Sequence, residues 1–183
     1  MKSSKSIKTP ENRRIAGLTP FTLENSLGLL LVLHMEKSNL LELINEVLRP
    51  LGFKQKGDYW VDNVSELTRI VHLQKSDFGD MYYINFGYIL KNVPLNNLKM
   101  HVFNRVSSSD REERLKIEEL LNLKSEIPDQ ERAAQLRDIL ADKLGETIQQ
   151  TQTEVDLRRE LENRQNLNAV PLNVKEYLGL ESK

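Results

Sequence analysis

From residue 35 onward the hydrophobic pattern changes period twice, and the two changes divide the chain into three parts. In NLLELINEVLRPLGF, Leu40, Leu41, Ile44, Val47, Leu48 and Leu51 recur at helical spacing. Asn39 with Glu42 predicts a capping box at the start of this helix, and Pro50 with Gly52 predicts its stop. Between Gly57 and Val106 the period falls to two, the signature of strands, over 59–61, 67–75, 81–91 and 98–106. The connections are short and carry Asp, Asn, Gly, Ser or Pro, so neighbouring strands are expected to pair antiparallel as a meander. After Ser107-Ser108-Ser109 the helical period returns. Asp110 with Glu113 predicts one start, Pro128 opens a helix with Ala133, Leu136, Leu140 and Leu144 on one stripe, and Thr153 with Asp156 predicts a third start. A short last helix is expected from Pro171 to Leu178, ending at Gly179. The expected fold class is α+β: one N-terminal helix, an antiparallel sheet of about four strands, and three to four C-terminal helices packed on one sheet face.

Residues 1–34 read differently. They are polar and basic up to Arg14, then end in the apolar run LGLLLVL. That run is far shorter than the roughly 20 apolar residues that span a bilayer. Glu24 and Asn25 interrupt a secretory-leader pattern, and no small-residue cleavage site follows. We read 1–34 as a poorly structured extension with Met35 as a natural start, and 35–180 as a single domain.

Composition narrows the chemistry. The chain has no cysteine, which excludes disulfides, thiolate metal sites and a cysteine nucleophile, and it fits a reducing, cytoplasmic setting. Net charge is −1, but five bases face only two acids before Met35, so the remainder is acidic, chiefly in its helical half. A nucleic-acid binder usually draws on a surplus of Lys and Arg, and the body of this chain has none.

The tripeptide Asp77-Phe78-Gly79 matches the metal-binding motif of protein kinases. The glycine-rich loop, strand lysine and catalytic Asp–Asn pair of a kinase are missing, so it reads as a turn between two strands. His34, His72 and His101 have no metal-ligand spacing among them. Glu112-Glu113 and Glu118-Glu119 read as solvated helix faces, and Ser107–Ser109 lacks a nucleophile elbow. No cofactor or metal is implied.

The strands offer more. In 81–91, alternation puts Tyr82, Ile84, Phe86, Tyr88 and Leu90 on a core face and Met81, Tyr83, Asn85, Gly87 and Ile89 on the other. With the apolar sets of 67–75 and 98–106 also turned inward, the outer face gathers Thr68, His72, Gln74, Tyr83, Asn85, Lys99, His101 and Arg105. Aromatic and arginine groups among polar ones suit a recognition surface. The candidate binding residues are His72, Gln74, Tyr83, Asn85, His101 and Arg105. No catalytic residue is assigned.

The succession LGFKQKGDYWV from Leu51, RIVHLQKS from Arg69 and YYINFGYIL from Tyr82 resembles the bacterial domain-of-unknown-function family 4304, over about 35–178. Gln74, Lys75, Asn85 and Gly87 match its pattern. The resemblance implies no established activity and no catalytic residue. Two functional readings follow. The first is a non-enzymatic protein-binding domain, immunity- or antitoxin-like, holding a protein partner through the sheet face or the acidic helices. The second is a hydrolase or nucleic-acid-processing enzyme in which His72, His101, Asn85 and Arg105 converge.

Overall fold

The computed structural model describes residues 35–180. The extension expected over 1–34 lies outside the described residues. Five antiparallel strands form one sheet in the order β1 (Lys54–Lys56), β2 (Tyr59–Asn63), β3 (Leu67–Lys75), β4 (Tyr82–Leu90) and β5 (Val102–Arg105). This is the expected meander, with an additional arm at its start. Lys54–Lys56 escapes a period-two reading because Lys-Gln-Lys has no apolar member. The hairpin through Gly57 (φ +62°) places it against β2. The last strand is shorter than expected, and the reason lies in the residues before it, as shown below.

Helix α1 (Lys37–Leu48) precedes the sheet. It starts earlier than the Asn39–Glu42 pattern suggests. Glu36 is the N-cap, and Asn39, at the third helical position, accepts the Glu36 backbone N–H through Oδ1 at 2.9 Å. Pro50 and Gly52 stop the helix as expected, through a tight turn at Arg49–Leu51 and a left-handed Gly52 (φ +92°). After the sheet come α2 (Arg111–Leu121), α3 (Asp129–Ile139), α4 (Thr147–Gln150), α5 (Glu154–Glu162) and α6 (Leu172–Leu178). Asp110 caps α2 by accepting the Glu113 N–H, and Thr153 with Asp156 forms a reciprocal capping box on α5. Helices α3 and α4 are joined by a π-helical stretch, Leu140–Glu146, which keeps Leu140 and Leu144 buried behind Leu136.

All these helices serve one face of the sheet. Trp60, Val71, Leu73, Ile84 and Phe86 pack with α1, α2 and α3 in one cluster, while Leu67, Tyr88, Leu90 and Val102 pack with α5 and α6 in another. Every one of these strand residues has the same pleat parity through the register Trp60↔Val71↔Phe86 and Leu67↔Leu90. Between the clusters, on that same face, stands the buried Arg69. Its Nε donates to Asp62 Oδ2 at 2.9 Å, Nη2 pairs with the same carboxylate, and Nη1 donates to the Ile148 carbonyl at 2.9 Å. The pair ties the sheet to α4 and gives the buried Arg69 charge its counter-ion.

A second buried arginine closes the helical layer. Arg132 is 1% exposed, and its guanidinium donates to the carbonyls of Leu120 (2.7 Å), Asn122 (3.0 Å) and Ser125 (2.8 Å) at the end of α2. The negative end of that helix accepts the cation in place of a carboxylate. Burial lowers the Arg132 pKa, and Asp129 and Glu119 oppose that shift.

Candidate functional site

Residues opposite each other in antiparallel strands share a face, so the register assembles the outer face row by row. One row is Lys56, Tyr59, His72, Asn85 and Arg105; the next is Lys54, Val61, Ile70, Gly87 and Phe103. Gln74 and Tyr83 form a further pair beside the first row. At the usual spacing of about 4.8 Å per strand, each five-strand row spans about 19 Å.

The first row carries two tied groups of side chains. Asn85 is 1% exposed; its Nδ2 donates to Gln74 Oε1 at 2.8 Å, and its Oδ1 accepts from Arg105 Nε at 2.9 Å. The Arg105 Cζ stands 4.1 Å above the Tyr83 ring, a cation–π seat that fixes the plane of the guanidinium. Across the other half of the row, the Tyr59 and His72 rings stack at 4.1 Å with 6° between their planes. Burial, and after it the Lys99 ammonium, hold the His72 imidazole below its ordinary pKa, with Asp58 opposing. His72 is therefore a neutral ring near pH 7.

Five of the sequence-predicted site residues, His72, Gln74, Tyr83, Asn85 and Arg105, are brought together. His101 is not. It lies just ahead of β5, 1% exposed, and both ring nitrogens are used by the backbone: Nδ1 accepts the Leu90 N–H at 3.0 Å, so Nε2 carries the proton and donates to the Pro94 carbonyl at 3.1 Å. The shortening of the last strand has the same origin. A Cβ on Gly87 would stand 1.9 Å from the Val102 carbonyl oxygen and 2.5 Å from Met100 Sδ. Gly87 thus admits a close approach that lets Met100 fold over the outer face, and the chain becomes regular only at Val102. Sequence reasoning missed Tyr59 and Phe103 as members of the face. The alternation of β2 and the pairing of β5 could have supplied both.

The kinase-like tripeptide is a connection between β3 and β4, as expected. Gly79 has φ +114°, the Phe78 N–H donates to Ser76 Oγ at 3.2 Å, and Ser76 N–H closes the hairpin on the Met81 carbonyl. Among the described residues no group of three or more His, Cys, Asp or Glu is placed to hold a metal, and no helix is long and apolar enough to cross a membrane. A cleft of about 570 Å³ lies elsewhere, lined by Thr151, Asp156, Glu160 and Arg164 among others. Its charged groups are engaged in the fold: Asp156 caps α5, and Arg164 pairs with Glu160 and reaches Asn104.

The architecture is that of an α+β domain whose antiparallel meander carries helices on one face and a polar, aromatic row on the other. The chain belongs to the family described as Domain of unknown function (DUF4304), whose model matches residues 44–177. No curated protein and no solved structure matches the chain.

Proposed function

We propose that the domain is a non-enzymatic protein-binding module acting in the cytoplasm, and that its contact surface is the outer face of the sheet. The observation that carries this reading is the row from Tyr59 to Arg105, in which hydrogen bonds and ring contacts hold side chains in fixed poses at a partly exposed surface. Preorganised aromatic and arginine groups lose little conformational freedom on binding and are the usual anchors of protein interfaces. Phe103, 46% exposed in the adjoining row and separated from Ile70 by Gly87, adds an exposed apolar group. The enzymatic reading loses its second imidazole, because His101 has no ring nitrogen left for a substrate proton.

The test is capture from host lysate with the full chain, beside a variant carrying Phe103→Ala and Arg105→Ala. Both positions are exposed, so the variant is expected to fold. A stoichiometric partner held by the wild type and lost by the folded variant supports the sheet face. A partner held equally by both moves the interface to the acidic helices, the surface an antitoxin-like role would use.

A further inference from the structure

The outer face is charged unlike the rest of the molecule. Its two rows contain Lys54, Lys56 and Arg105 and no acid. Lys99 leads into β5 close enough to His72 to depress its pKa. None of these four cations is in an ion pair among the described residues. The two buried arginines behave otherwise, since Arg69 and Arg132 use their terminal nitrogens on Asp62, carbonyls and Ser125 Oγ. Arg105 is held by Asn85 at Nε and by Tyr83 beneath, and it alone of the three keeps Nη1 and Nη2 without a hydrogen-bond partner among the described residues.

We infer that Arg105 is a docking point for a carboxylate, and that the partner of this face is a protein segment bearing acidic side chains around an apolar centre. This rests on the sheet-face reading above. A guanidinium whose plane and Nε are already fixed presents its terminal fork to the two oxygens of a carboxylate with little further ordering. The row is positive at Lys56 and at Arg105, about 19 Å apart at ordinary strand spacing, with uncharged Tyr59, His72 and Asn85 between and Val61, Ile70 and Phe103 alongside. Acidic groups flanking apolar ones complement that layout. A single-stranded nucleic acid would need open ring faces on which to stack bases. Here Tyr59 and His72 cover one another and Tyr83 lies under Arg105, so Phe103 is the one well-exposed ring of the two rows and gives no run of stacking platforms.

The experiment uses the full chain labelled for side-chain resonances of Arg105 and Asn85, titrated to about 10 mM, above the millimolar Kd expected of a weak charge-assisted contact. The probes are a short peptide of glutamates flanking two leucines, the same peptide with glutamines, and a deoxythymidine oligonucleotide. The glutamate peptide is expected to shift both resonances saturably. The glutamine peptide should bind at least ten-fold more weakly, and Arg105→Gln should abolish the difference between the two peptides while the backbone spectrum stays folded. Equal binding of both peptides to the face, with Arg105→Gln silent, overturns the carboxylate dock and leaves the sheet-face reading standing. No shift at Arg105 with the glutamate peptide also overturns the dock, and the capture experiment then judges the face by itself. Tighter saturation by the oligonucleotide overturns the acidic-protein assignment.

Discussion

Tyr83 and Tyr88 stand on the same strand and face opposite sides of one sheet, and they show how the two sides differ. Tyr88 is fully buried among Leu67, Leu157 and Leu161, and burial pushes its hydroxyl up to about 12. Tyr83 is half-buried on the other side and supports a guanidinium. The arginines repeat the contrast. Arg69 is enclosed with Asp62 beneath α4, whereas Arg105 is exposed, held in place and without an ion pair among the described residues. On the inner side the Arg69 guanidinium is consumed in holding the fold; on the outer side the Arg105 guanidinium is held in place and its terminal nitrogens remain available.

If that division is right, substitutions should separate by face. The largest loss is expected from Asp62→Ala, which strands the Arg69 charge in the core; urea unfolding should show about 3–5 kcal/mol. Gly87→Ala comes next, at about 2–3 kcal/mol, because a Cβ meets the Val102 carbonyl and Met100 and must part β4 from β5. Removing the α5 cap with Thr153→Ala should cost about 1 kcal/mol. Arg105→Gln should cost less than about 1 kcal/mol, having only the Tyr83 contact and one hydrogen bond to lose. The smallest effect is pH-dependent. The His72 pKa is depressed in the fold, so the unfolded chain takes up this proton first; its stabilising contribution is complete above about pH 6.5 and declines as pH falls below that value. A His72→Phe chain, which keeps a ring against Tyr59, should lack that component of the pH profile. A large stability loss from Arg105→Gln would break the comparison by making the outer face structural.

The two central strands were legible because β3 and β4 alternate over nine residues each, long enough for the apolar set to fix the face. The shared outer face of His72 and Asn85 followed from that alternation. The flanks were not legible for separate reasons. Lys54–Lys56 pairs through its backbone while all three side chains are exposed, so no hydrophobic signal exists to read. His101 has strand-like spacing, but the backbone enters β5 only after Met100 crosses Gly87, a close approach that sequence spacing does not encode. Arg69 has the parity of the core, yet its burial depends on Asp62 and on a carbonyl from residue 148, contacts visible only in three dimensions.

The most direct test labels the isoleucine methyl groups, because isoleucines mark both sides of the sheet, and titrates the full chain with the partner captured by it. Ile70 and Ile89 lie on the outer face, while Ile44, Ile84 and Ile117 lie in the core and Ile127 and Ile139 are partly buried beside the helices. Binding through the sheet face predicts shifts at Ile70 and Ile89 with Ile44, Ile84 and Ile117 unmoved. Shifts confined to Ile127 and Ile139 would contradict it.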